Sequence, residues 1–215
     1  MKIIVLGSPG VGKGTYTQEL VKELGLAHIS SGDLFRDNIK NRTSLGIEAE
    51  KYINAGKLVP DDITIAMVEK RLKQKDCAKG YILDGFPRTV PQAEALDQIT
   101  LIDMVLNFKA DRGVIIDRLS GRRICKECKW IYHLRNLPQK KAGFCDKCNG
   151  EVIQRSDDNS VAINKRLDVY ETETAQLINF YQKRKLLREI VVNEEFGKFG
   201  EIIMERIRKV IHSKK

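Results

Sequence analysis

The chain predicts an α/β fold in which a parallel five-stranded sheet is covered by helices on both faces, and three features carry that expectation. Short apolar runs at 2–6, 28–30, 81–84, 104–108 and 190–193 have strand length. Helical patterns separate most of them, the alternation expected when parallel strands are joined by helical crossovers. The first run, Ile3-Ile4-Val5-Leu6, passes into Gly7-Ser8-Pro9-Gly10-Val11-Gly12-Lys13-Gly14-Thr15 and then into a helical pattern from about Lys13 to Leu24. Strand, glycine-rich turn and helix in that order make a phosphate-binding loop (P-loop) of the kind found in nucleotide-hydrolysing proteins.

Glycines at 7, 10, 12 and 14 free the backbone to turn N–H groups inward around a phosphate, and Lys13 adds a cation where the outer phosphates would lie. The positive end of the following helix points at the same spot. Thr15 follows Lys13 only after Gly14, one residue later than in the general Gly-x-x-x-x-Gly-Lys-[Ser/Thr] pattern, which counts against a GTP-driven switch. From about Ser30 to Val59, two short helical patterns form an insertion between the second and third strands. Asp61-Asp62 are expected to cap a helix that turns Ile63, Met67 and Val68 inward. Near the end, Phe199, Ile202, Ile203, Arg206, Ile207, Val210 and Ile211 make a core-facing stripe at helical spacing. A second insertion, from about Gly121 to Ser156, is rich in Cys, Lys, Arg and Gly. Crevices in such sheets open at the carboxyl ends of the strands, where two insertions can close over ligands from either side.

Hydrophobic residues make up 42% of the chain and charged residues 31%. No apolar run approaches the ~18 residues of a membrane span. The chain therefore reads as a soluble globular protein, and its start in a core strand leaves no room for a leader, so a cytoplasmic location is expected. A net charge of +9 fits a solvated basic surface, a nucleic-acid partner or a highly phosphorylated small substrate.

Four of the five cysteines form two knuckles, Cys125-Lys126-Glu127-Cys128 and Cys145-Asp146-Lys147-Cys148, sixteen residues apart. This spacing lets four thiolates surround one zinc ion, and with four protein ligands no position stays open, so the zinc is expected to be structural, one per chain. A redox dithiol and a zinc ribbon gripping nucleic acid are the competing readings. Cys77 is left over as a plain thiol near a helix end.

Gly80 to Arg88 is an apolar strand ending in Asp84 and then a Gly85-Phe86-Pro87-Arg88 turn. An acid at that strand end suits magnesium held through its water shell, and Arg88 can fork onto a phosphate. Arg36, Arg122, Arg123, Arg155 and Arg166 are candidates for the same cleft. Arginines brought so close would repel one another without an anion, whereas Arg112, Arg184 and Arg208 read as ordinary solvated charges.

The loop 7–15 together with Ile29-Ser30-Ser31-Gly32-Asp33-Leu34-Phe35-Arg36, Gly56 to Asp61, Asp84 to Arg88 with Gln92, and Gly121-Arg122-Arg123 resembles the adenylate kinase family essentially end to end, in its long form with a zinc-bearing lid. The resemblance implies a core of 1–29, 60–120 and 157–215, an AMP-binding insertion at 30–59 and a zinc lid at 121–156. It implies reversible magnesium-dependent transfer from ATP to AMP giving two ADP, by a monomer with no nucleic-acid or membrane partner. Gly10, Val11, Gly12, Lys13, Gly14 and Thr15 would hold the ATP phosphates. Arg122, Ile131 and Tyr132 would contact ATP from the lid, and the segment at Gly197 would meet its adenine. Ser31, Arg36, Lys57, Leu58, Val59, Gly85, Phe86, Pro87, Arg88 and Gln92 would bind AMP. Arg155 and Arg166 would reach the acceptor phosphate or the group in flight, so that Lys13, Arg88, Arg122, Arg155 and Arg166 form the catalytic set. Two departures stand out: Ser31 replaces the more usual Thr, and Asn193 to Lys198 is irregular. The nearest rivals are a kinase for UMP, CMP or GMP, and a nucleic-acid-binding zinc protein with a nucleotide sensor.

Overall fold

A computed structural model describes residues 1–55, 57–194 and 196–213, without the side chains of 173 and 196–199. In chain order it runs β1 (Lys2–Leu6), α1 (Lys13–Leu24), β2 (Ala27–Ser30), α2 (Ser31–Lys40), α3 (Ser44–Asn54), α4 (Asp61–Leu72), a 3-10 turn (Lys75–Lys79), β3 (Tyr81–Asp84), α5 (Val90–Ile99), β4 (Met104–Lys109) and α6 (Arg112–Ser120). It continues through β5 (Arg122–Cys125), β6 (Ile131–His133), β7 (Val152–Ile153), α7 (Ser160–Val169), a π turn (Tyr170–Thr174), α8 (Gln176–Lys183), β8 (Leu187–Val191) and α9 (Phe196–His212).

The large sheet has the order β2-β3-β1-β4-β8, and every pairing in it is parallel. Because side chains alternate along a strand, the run Ile3 to Leu6 supplies both faces. Ile3 and Val5 pack with Ile82, Leu106 and Phe108 under α1 and α9, while Ile4 and Leu6 pack with Leu83 and Val105 against Val68, Ala93, Leu96, Leu177 and Tyr181 of α4, α5 and α8. A strand buried on both faces must be apolar at every position, which is why this one carries no alternation. The chain leaves β1 towards β2 on one side and later crosses to β4 on the other. This reversal places the loop after β1 at the crevice. The register sets Val5 and Ser30 opposite Asp84, so the loop, the start of α2 and the acid share one crest.

Three expectations are corrected. The last strand is Leu187–Val191 rather than 190–193, because its polar residues Arg188 and Glu189 pair with β4 at the sheet edge, where one side of the strand is free. Asp61 and Asp62 do not cap α4: Pro60 is the capping position, and Asp61 instead accepts hydrogen bonds from Thr89 Oγ1 (2.9 Å) and Gln92 Nε2 (2.6 Å). On α9 the buried stripe is Ile203, Met204, Ile207 and Ile211. Ile202, one residue off that stripe, is half exposed, Arg206 is exposed and pairs with Glu194, and the side chain of Phe199 lies outside the described residues.

The two insertions are built differently. The first is α2 and α3, started by side-chain caps from Ser30 and Thr43 and closed on Phe35, Ala49 and Val59. The second is a small antiparallel sheet, β6-β5-β7, whose core is little more than Tyr132 and two cysteines. Among the described residues no helix is long and apolar enough to cross a membrane.

Candidate active site

Both insertions and the sheet crest face one cavity of about 330 Å³. Its floor is the loop after β1. Gly10 has φ +83°, and a Cβ there would stand 2.5 Å from Leu119 Cγ, so the turn admits glycine alone. Gly12, at φ +103°, begins α1. Lys13 folds its amine back over the loop, donating to Gly7 O (2.6 Å) and Ser8 O (2.9 Å). Burial pulls that amine down to about 8; Asp84 opposes the shift, and Arg88, Arg166 and Arg122 add to it. Arg118, on the last turn of α6, ties the loop to the 191–194 segment by donating to Val11 O (3.0 Å) and Glu194 O (2.6 Å).

The second wall comes from β3 and α2. Asp84 lies 3.8 Å from His28 Nε2. Burial works against its charge, but His28 and Lys13 outweigh burial and hold the carboxyl below the usual range. Gly85, at φ +77°, turns its carbonyl towards Ser31 Oγ (2.6 Å) and Arg88 Nε (2.8 Å). The Phe86–Pro87 bond is cis. Gln92 is buried, accepting from Arg88 N (2.7 Å) and donating to Asp61, which fixes the turn onto α5. Arg36 pairs with Asp33 of its own helix at 2.7 Å.

The arginines meet from both sides of the crevice. Arg122, at the base of the second insertion, forks onto Asp158 with Nε–Oδ2 2.7 Å and Nη2–Oδ1 2.5 Å. Arg166 of α7 reaches the same Asp158 (3.2 Å) and Asp157 (3.0 Å). Neighbouring acids thus offset part of the repulsion the sequence implies, and Asp157 and Asp158, set in a polar stretch that reads as a loop, carry no signal of that role in the sequence. Arg155 has no such partner among the described residues: its Nε is buried and unbonded. Burial first, then Arg122 and Arg36, press its guanidinium below the usual range. Arg88 stays open to the cavity, yet the protein around it and Arg166 push it in the same direction. A cleft arranged this way is destabilised by its own charge until an anion enters.

Of the residues expected at the site, Gly10, Gly12, Lys13, Gly14, Thr15, Ser31, Arg36, Lys57, Leu58, Val59, Gly85, Pro87, Arg88, Gln92, Arg122, Ile131, Tyr132, Arg155 and Arg166 all line this cavity. The side chains of Val11 and Phe86 are in the core instead, so only their backbone can face a ligand. Arg123 turns its guanidinium to the carbonyls of Ser120 and Arg122, off the cavity wall. Gly197 lies among the residues whose side chains and surroundings are outside the described ones. Arg118, His28 and Lys129 line the cavity without having been singled out from the sequence. Lys129, just after a cysteine knuckle, sits at φ +62°.

In the second insertion the Sγ atoms of Cys125, Cys128, Cys145 and Cys148 all lie within 4.8 Å of one another, with Cys125–Cys148 and Cys128–Cys145 both at 3.5 Å. A tetrahedron with Zn–S bonds of about 2.3 Å has edges of about 3.8 Å, so the donor set fits zinc in kind, number and spacing. Burial opposes ionisation of Cys145. Tyr132 Oη (3.3 Å) and the backbone N–H groups of Lys147 and Cys148 overcome it and pull that thiol down, as suits a thiolate ligand.

Comparison with known proteins decides the family. A model of the family described as adenylate kinase matches residues 5–186. The adenylate kinase of Desulforudis audaxviator is 51% identical over 209 residues, covering 95% of this chain and 98% of the relative. That of Carboxydothermus hydrogenoformans is 52% identical over 196 residues, covering 88% and 91%. The chain belongs to the adenylate kinase family. The adenylate kinase of Methanocella arvoryzae is also similar, 46% identical over 215 residues with 98% of this chain and all of the relative (100%) covered. As a member, the chain is a nucleotide-binding kinase. The floor loop, the cation-lined cleft and a cysteine cluster fitting a zinc lid are its adenylate kinase features.

Proposed function

We propose that the protein transfers the terminal phosphoryl group of ATP to AMP, reversibly, giving two ADP. The observation that carries this reading is the half-buried guanidinium of Arg155, its Nε enclosed and unbonded, on the same cavity as Lys13, one cation from each side of a crevice large enough for two nucleotides' phosphates. Phosphoryl transfer requires little covalent chemistry from a protein. It requires two nucleotides held in line and the charge on the moving group neutralised.

In this reading ATP lies on Gly10 to Thr15, with Lys13 leaving its carbonyl partners to bridge the outer phosphates. AMP lies between Ser31, Arg36, Lys57 to Val59 and the Gly85 to Arg88 turn, with Gln92 fixing that turn. Arg122 and Arg166, bridged by Asp158, and Arg155 close on the transferring group. Asp84 and the Thr15 hydroxyl, hard oxygen donors beside Gly14, suit Mg²⁺, which would supply charge neutralisation across the phosphates. No general base is needed. Residues 30–59 act as the AMP-binding unit and 121–156 as a lid, with one structural zinc making the lid rigid. The rest is the core. Shutting water out protects the phosphoryl from hydrolysis, a purpose for which the adenylate kinase lid is a standard example.

We also propose a cytoplasmic monomer without a nucleic-acid partner. Stacking surfaces for bases are few on the zinc lobe, since Tyr132 is buried, Trp130 lies against lysines and Phe144, though exposed, is covered by Lys141. Incubating the zinc-loaded protein with Mg²⁺, ATP and, separately, AMP, UMP, CMP or GMP tests the reading by the diphosphates formed. ADP with AMP at rates well above the other acceptors is expected. No diphosphate with any acceptor overturns it.

A further inference from the structure

Trp130 is the only tryptophan in the chain. It stands between the first cysteine knuckle and β6, and unlike its neighbours Lys129 and Ile131 it does not line the cavity. Its ring faces the last turn of α1, where Lys22 Nζ lies 5.2 Å from the ring centroid. Glu19, 2.8 Å from Lys22, steadies that amine, and Lys147 of the second knuckle covers the same ring. Next to it, Ile131 Cδ1 lies 3.4 Å from where a Cβ on Gly14 would stand. Gly14 and Lys22 are eight residues apart and so share one face of α1, which meets the zinc lobe at both ends, Ile131 near the phosphate loop and Trp130 at the last turn. The other end of the lobe is tied to α6, where His133 Nε2 is 3.1 Å from Asp117 O and Arg135 pairs with the Asp117 carboxylate.

We propose that Lys22 and Trp130 are positioning residues. Their contact, outside the nucleotide cleft, holds the zinc lobe down on α1 and thereby sets Ile131, Arg122 and Arg155 over the phosphate loop. This rests on reading the lobe as a lid that opens and closes. Trp130 is half-buried, and a cation on an indole still reached by water shifts such an equilibrium by about two- to fivefold. Loss of the contact therefore weakens ATP retention without removing any group that touches the reacting phosphates.

The test compares Lys22→Met, which keeps the aliphatic stem, with Lys22→Arg, which keeps the cation, in the zinc-loaded full chain. Lys22→Met should raise KM for ATP about two- to fivefold, with kcat unchanged or higher. Trp130, the sole fluorophore of its kind, should be shielded from acrylamide by ATP plus AMP in the parent and in Lys22→Arg, and less so in Lys22→Met. Equal KM and equal quenching in Lys22→Met and the parent overturn the proposal, as does a Lys22→Arg protein as impaired as Lys22→Met. A parent that makes ADP while Lys22→Met behaves identically removes the positioning role alone. A parent that makes none, yet shields Trp130 on adding ATP and loses that shielding in Lys22→Met, supports the contact and removes the proposed reaction.

Discussion

Lys13 shows how one residue couples binding to pH. Its amine sits at about 8 in the free protein because burial and three arginines outweigh Asp84. A bound triphosphate would raise it again by supplying negative charge. The amine is charged below pH 8, so binding there takes up no proton. Above pH 8 the free protein holds a neutral amine, and binding must take up a proton from solution. ATP affinity is therefore expected to be flat below pH 8 and to fall by up to about tenfold per pH unit above it, as titration calorimetry would read. An affinity unchanged from pH 7 to 9.5 would contradict this. The effect on stability has the opposite sign: between about 8 and the ordinary lysine value the unfolded chain binds more protons than the folded one, so Lys13 costs the free protein less as pH rises. Lys13→Ala should leave the fold intact and reduce turnover by on the order of 10²–10³, the usual cost of removing one preorganised donor. Arg88→Lys keeps the charge but loses the fork. Its turnover should fall roughly 10- to 100-fold, the equivalent of one charge-assisted hydrogen bond. Equal rates in parent and variant would place Arg88 outside the chemistry.

Elements differed in how plainly the sequence announced them, and for physical reasons. The bounds of α1, Lys13–Leu24, were legible because a loop motif fixes its start and Gly25, in the left-handed region, ends it. β1 and β3 were legible because central parallel strands must be apolar throughout. β8 was not, since an edge strand tolerates Arg188 and Glu189, and Val191-Val192 drew the reading past its end. The cysteine spacing announced that four thiols would converge, but not that Tyr132 would both fill the lobe's core and steady Cys145. A lobe with so small a core would depend on a zinc cross-link between its cysteines. Changing Cys125 and Cys148 together to Ser should speed hydrogen exchange across β5, β6 and β7 and lower the melting temperature, while the large sheet stays protected. Unchanged exchange in those strands would show that zinc does not hold the lobe.

Across the whole molecule, the cavity gathers Lys13, Arg36, Lys57, Arg88, Arg118, Arg122, Lys129, Arg155 and Arg166 against Asp33, Asp84 and Asp157. This excess comes from all parts of the chain, so its repulsion strains the assembly of core and insertions rather than any one element. Asp158 relieves some of it from behind the wall, fully buried between Arg122 and Arg166. A polyanion that reaches the cleft should therefore stabilise the fold through charge alone, with the nucleoside adding less. Inorganic triphosphate at about one hundred times its dissociation constant adds about 2.7 kcal/mol by mass action. In a chain of this size each kcal/mol moves the melting temperature by about 2–4 °C, which gives a rise of roughly 5–10 °C. Adenosine, which offers the base and sugar without charge, should give almost none at the same concentration. Salt should shrink the triphosphate effect, because screening weakens the attraction and the internal repulsion together. A larger rise with adenosine than with triphosphate would mean that the arginines are already satisfied by their acids, and that recognition begins at the base.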